Sequence, residues 1–234
     1  MAQRLTRFFK ETGAYSLVEL SIALLIIGLI VGGVLKGQEL LESARLKSVL
    51  AQVNEFRLAT GIFMDKFGAL PGDFDHASDA IASNLQDGNN NGIIEGPGLA
   101  ASGAGHEATS YWQHLSAAGL LPLASQAGTG SGAITFGNGA PKAKIGGGFT
   151  IAYSPFGDGK HWFLLGAQNG DRGNGALLTP AQAMMLDKQA DSGNPQEGHI
   201  RAAEGVGGHG RCLTPQGAYN LTNKEKACIL YFQM

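Results

Sequence analysis

The chain has 234 residues and a formal charge of −2, so it lacks the basic excess that nucleic-acid binding requires. Charged residues make up only 15% and glycine takes 36 positions, a composition that suits a loop-rich surface packed against copies of itself. Aromatic residues and apolar runs spread along the sequence exclude whole-chain disorder.

Residues 1–14, MAQRLTRFFKETGA, set Arg4, Arg7 and Lys10 against the single acid Glu11. Residues 15–35, YSLVELSIALLIIGLIVGGVL, then form an apolar run of about 21 residues, the length of a helix that crosses a bilayer core of roughly 30 Å. Glu19 stands inside this run, where a charge costs at least a few kcal/mol. Basic residues ahead of the span hold the N-terminus in the cytoplasm and send the remainder across. An ordinary secretory signal peptide, whose apolar region is only 7–15 residues long, fits less well, because this run is longer and passes directly into a further helical pattern.

That further pattern occupies residues 36–67. Apolar Leu40, Leu41, Ala44, Val49, Leu50, Val53, Phe56, Ile62, Phe63 and Phe67 recur mostly three and four apart, which predicts an amphipathic helix with Glu39, Glu42, Arg45 and Lys47 on its polar side. Gly68 and Pro71 end it. No linker separates the apolar half from the amphipathic half. Gly28 with Gly32, and Gly33 with Gly37, are spaced to let helices approach closely.

Residues 68–106 read as loop. Within them Asp87, Asn89 and Asn91 stand at positions one, three and five of a calcium-loop pattern, Gly92 at six, the Ile93 carbonyl at seven and Glu95 at nine. Position twelve is Gly98, without the usual glutamate; Asp73, Asp75 and Asp79 stand near enough in sequence to complete a shell. Side-chain oxygens on alternating residues suit a hard cation, and the same letters also make a plain Asn/Gly turn.

Residues 107–121 predict a short helix with Trp112, Leu115 and Leu120 inward, and a short strand is expected at 133–136. Residues 149–155 and 160–168 predict two strands joined through Phe156, Gly157, Asp158 and Gly159. Thr179 as N-cap and Pro180 in the first turn predict a helix over 179–190. Residues 227–234 predict a last strand. Cys212 and Cys228 are the two cysteines; beyond a membrane, in an oxidising compartment, they are expected to pair, and such a loop stabilises by roughly 3 kcal/mol.

Catalytic signatures are missing from the sequence. None of the six histidines falls into HExxH or another zinc spacing, and GxSxG, P-loop and CxxC patterns are not present. Gly205 to Gly210 is glycine-rich without the dinucleotide-loop spacing.

The basic leader, the small residues before position 15 and the apolar run with its early acid resemble the prepilin signal of type IV pilins and type II secretion pseudopilins. The resemblance covers 13–36, and Ala14 and Tyr15 stand where the family has Gly and Phe. Lys36 stands near the place where many pilins carry a proline. The PGDF run at 71–74, the Asp/Asn loop and the cysteine-bounded C-terminal part also resemble a subset of bacterial prepilin-like proteins. The resemblance implies a cut between Ala14 and Tyr15 by a prepilin peptidase, methylation of the Tyr15 amine and an assembly role for Glu19, then fifth in the mature chain. It implies an α+β pilin-like fold, a long N-terminal transmembrane and amphipathic helix packed on a small antiparallel sheet. Its parts are leader 1–14, transmembrane half 15–35, amphipathic half 36–67 and globular part 68–234. The implied function is structural: a pilus-like or pseudopilus filament subunit, not an enzyme, held in the bacterial inner membrane and then carried into a periplasmic or cell-surface filament. Implied partners are other pilins or pseudopilins, the peptidase and methylase, an assembly ATPase and platform protein, and membrane lipid; calcium is the one cofactor expected. A periplasmic enzyme or binding protein on an uncut anchor is the different-class alternative.

Overall fold

The computed structural model describes residues 16–100, 106–123 and 134–234. The chain divides into two units after Ala44, residues 1–44 and 45–234. A helix, α1 (Leu17–Phe67), runs through the division.

In the first unit the described part of α1 buries none of its large apolar side chains. Leu17 is 85% exposed and Leu29 70%, and the whole apolar stretch between them faces outward. It is one helix near the N-terminus that is long and apolar enough to cross a membrane.

The second unit is mixed α and β. It begins with the rest of α1, which buries Leu46, Val49, Val53, Phe56, Thr60 and Phe63. These positions step by three and four, the spacing that keeps one face of a helix turned to a core. The sequence expectation is corrected here in four places. Leu40, Leu41, Ala44 and Ile62 are exposed. Leu40, Leu41 and Ala44 precede the packed region, and Ile62 lies about 100° around the helix from Phe63. Leu46 and Ala59, which the expected stripe omits, are buried. After the helix come a single turn, α2 (Ala77–Ala80), and α3 (Glu107–Ala117). Helix α3 stops four residues before the expected 121. Gly119 takes φ +74, its N–H bonds to the Ser116 carbonyl, and the Leu120 N–H reaches back to the Leu115 carbonyl. This is a Schellman cap, which needs a residue at ease in the left-handed region.

Strands β1 (Thr135–Phe136) and β2 (Gly139–Ala140) form a small parallel pair, at the described part of the expected 133–136 strand. The main sheet contains β3 (Gly148–Tyr153), β4 (His161–Asn169), β6 (Ile200–Glu204) and β7 (Cys228–Gln233) in the order β3-β4-β7-β6, all antiparallel. Strand β5 (Arg172–Gly175) pairs with the far end of β4 through a tight turn at Gly170, where φ is +60. Helix α4 (Pro180–Ala190) starts where Thr179 predicts: its side chain accepts from the Gln182 N–H, and Gln182 answers to the Thr179 N–H. Strands β5 and β6 have no expected counterpart. RGNG and IRAAE carry little strand character of their own and are drawn in by neighbouring strands.

Phe56 of α1 is the point where the layers meet. Its ring packs edge-on at 5.0 Å against Trp112 of α3 and against Phe149 of β3, and lies 5.7 Å from Phe163 of β4. Such aromatic pairs contribute about 0.5–1.5 kcal/mol each beyond area burial. On the other face of the sheet the Arg201 guanidinium lies 5.0 Å from the Phe156 ring and 5.2 Å from Trp162, covering the strands there.

Candidate functional sites

Ala14 and Tyr15, the expected cut site, lie outside the described residues. Glu19 lies in the first turn of α1, where an acid complements the positive end of the helix dipole. Ser16 sits just ahead, its Oγ accepting from the Val18 N–H at 3.3 Å. Glu19 is the sole acid or base between Ser16 and Leu35.

The 87–95 loop is held by two carboxylates from outside it. Asp73 is buried, and its Oδ1 and Oδ2 accept the N–H groups of Asn91 (3.0 Å) and Gly92 (2.8 Å). Glu107, also buried at the start of α3, accepts from the N–H of Asn89 at 3.0 Å and of Glu95 at 3.2 Å. Burial raises the Glu107 pKa, with the like charges of Asp73 and Glu95 adding in the same direction. The packing is close enough to dictate glycine at two places. A Cβ on Gly88 would lie 2.2 Å from the Asp73 carbonyl carbon, and one on Gly72, where φ is +86, would lie 2.4 Å from the Glu107 carbonyl oxygen.

The expected calcium ligands are arranged as follows. Asn89 and Asn91 each accept the backbone N–H two residues on, at 3.0 and 2.7 Å, in successive Asx turns. Asp87 turns toward Ser78, accepting from its N–H and its Oγ–H, both at 2.8 Å, and those bonds lower its pKa. Glu95 is exposed, and its carbonyl accepts from the Ala108 N–H. Asn89 and Asn91 are thus exposed residues whose backbone N–H groups are held by Glu107 and Asp73, while Asp87 is bound to Ser78. Among the described residues no group of three or more His, Cys, Asp or Glu side chains is placed to hold a metal. Glu107 is the loop-holding residue that the sequence reading missed; its signal is an acid at the start of a predicted helix just downstream of the loop.

His114 of α3 ties the same region together. Its Nδ1 accepts from the Gly72 N–H at 2.9 Å and its Nε2 meets the Gln86 carbonyl at 2.8 Å, which assigns the proton to Nε2. It stacks on Phe63, is fully buried, and burial lowers its pKa. Both ring nitrogens are spent on the backbone, a structural role for this imidazole.

Cys212 and Cys228 are joined as a disulfide spanning 16 residues, as expected. It fastens the start of β7 to the 205–227 loop, where Glu204 also accepts the N–H groups of Cys212 and Leu213.

Comparison of the chain with family models, with curated proteins and with solved structures returned no match.

Proposed function

We propose that this chain is a structural subunit of a type IV pilus-like or type II secretion pseudopilus filament, with a pilin-like fold and no reaction of its own. The observation that carries the reading is the exposed apolar half of α1, with Glu19 as its one ionisable residue. So much unpartnered apolar surface needs lipid or the matching helices of other copies. In the proposed sequence of events a peptidase removes residues 1–14 in the inner membrane and the Tyr15 amine is methylated. The subunit then waits with its globular part in the periplasm until a platform protein and ATPase draw it into the filament. Within one helix the Tyr15 amine lies four residues from Glu19. In a filament that amine meets the carboxylate of a neighbouring copy, and the pair closes only when the two helices share an axial register. Breaking such a pair in a low-dielectric interior costs roughly 3–5 kcal/mol, enough to select that register. The disulfide, which suits an oxidising compartment, supports the periplasmic placing.

We also propose a calcium ion at the 87–95 loop, held by Asp87, Asn89, Asn91, the Ile93 carbonyl and Glu95. Its support is the alternating spacing of Asp87, Asn89 and Asn91, which suits a hard cation, and binding would turn Asp87 from Ser78 to the ion.

The test of the filament reading is the mass of the chain recovered from membranes. An N-terminus at N-methyl-Tyr15 is expected. An intact Met1, or a start at any other residue, would refute the processing step.

A further inference from the structure

We propose that a groove beside Arg57 receives the acidic 73–95 loop of a second copy of this chain. The proposal rests on the filament reading and adds to it a contact between the globular parts of neighbouring copies.

The first observation is charge. Between Lys66 and Lys142 the sequence has no Lys or Arg but six acids, Asp73, Asp75, Asp79, Asp87, Glu95 and Glu107. The whole chain is −2 and this stretch is −6; residues 1–14, which the filament reading removes, carry +2, so the rest of the mature chain is +2. Five of the six acids fall within 73–95, and Asp79, Asp87 and Glu95 are exposed.

The second observation is where cationic groups gather. A groove of about 510 Å³ lies between α1, the end of α4, the start of β6 and the end of β7, with apolar walls from Leu50, Val53, Phe232 and Met234. At its side Arg57, half-buried, donates from Nε and Nη2 to the Gln233 carbonyl at 3.0 and 2.6 Å. Lys160 Nζ and His199 Nδ1 lie 3.3 and 3.2 Å from the Gln233 side-chain oxygen. Arg57 on the Gln233 backbone carbonyl, and Lys160 and His199 on its side-chain oxygen, therefore gather around one neutral residue. Among the described residues no acid forms an ion pair with Arg57 or Lys160. The acid beside His199 is Asp191, and its carboxylate is spent on the N–H groups of His199 and Ile200.

A carboxylate entering this groove gains charge-assisted hydrogen bonds from a guanidinium already held in place. The acidic loop and the groove share no residue. A contact between two such separate patches propagates a filament where it runs head to tail and the rotation between copies does not close.

The test co-reconstitutes ¹⁵N-labelled and unlabelled full-length chains in phospholipid vesicles and treats them with a carbodiimide, which joins an amine to a touching carboxylate. Mixed-isotope peptides linking Lys160 to Asp79, the exposed acid of the loop that is outside the proposed calcium set, are expected. Lys160→Glu should reduce intermolecular linkage between these two regions about tenfold, and adding Asp79→Lys to it should restore linkage between the same two peptides. Links confined to one isotope, links from Lys160 to acids outside 73–95, or no restoration in the double variant would overturn the proposal. Wild-type filament yield from Lys160→Glu would also overturn it while leaving the filament reading intact. Mixed-isotope links without any filaments would uphold the contact and count against the filament reading alone.

Discussion

His114 and the two acids Asp73 and Glu107 show how single side chains keep the long segment after α1 in one conformation. The imidazole is fixed between the Gly72 N–H and the Gln86 carbonyl, and each carboxylate holds two N–H groups of the 87–95 loop. The pH dependence follows from the direction of the shift. His114 is depressed by burial below its ordinary value, as is His161, whose Nε2 accepts from the Ile94 N–H. Such groups contribute stability that is present above the unfolded value of about 6.5 and is lost as pH falls through the folded pKa. His76, exposed beside Asp75, is shifted the opposite way and counts for little in solvent. Thermal melts read by circular dichroism should therefore show a midpoint that drops as pH falls below about 6.5. His114→Gln should be less stable throughout and show a shallower drop; an unchanged slope would assign the effect elsewhere. Calcium belongs to this scale as well. EDTA is expected to lower the melting temperature, because an ion bound only to the folded state stabilises it. An identical melting curve with EDTA, and with Asp87→Ala, would leave a loop held by Asp73 and Glu107 alone. The spacing of Asp87, Asn89 and Asn91 was legible from sequence. The turn of Asp87 toward Ser78 was not, since that bond spans nine residues and depends on how α2 is placed.

At the scale of elements the decisive piece is the second half of α1. Periodicity located this helix and most of its inner face, and the capping box at Thr179 located α4. Periodicity misassigned Leu40, Leu41, Ala44 and Ile62 because hydrophobicity alone does not say where a helix meets its domain. Contact begins at Leu46, and apolar residues outside the packed stripe remain exposed. The strands RGNG and IRAAE were illegible for a related reason, as their pairing is supplied by β4 and β7 rather than by their own residues. The account predicts a sharp contrast in urea unfolding of the globular part. Phe56→Ala, which empties the junction of Trp112, Phe149 and Phe163, should cost about 3–5 kcal/mol. Leu41→Ala should change that stability by no more than about 0.5 kcal/mol, because Leu41 is exposed. Equal effects from the two would contradict the assignment of the packed face.

For the whole molecule, what matters is the division between a helix segment that buries nothing and a folded unit that stands on its own core. The segment was legible in the sequence because an apolar run of this length has few uses. The charge division was equally legible but hidden by the average, for a chain of −2 conceals a 67–141 stretch of −6. Glu19 joins these features. It lies far in sequence from the residues that make the folded core, and it is the one ionisable group on the apolar half of α1. Glu19→Val should insert into the membrane, lose residues 1–14 and fold its globular part as the wild type does. The measurement that bears most directly on the filament claim is electron microscopy of material sheared from cells carrying the wild-type chain or Glu19→Val. The account predicts filaments containing this chain from the wild type and few or none from the variant. Wild-type filament yield from Glu19→Val, or no filament containing this chain under any condition in which it is made and processed, would contradict it.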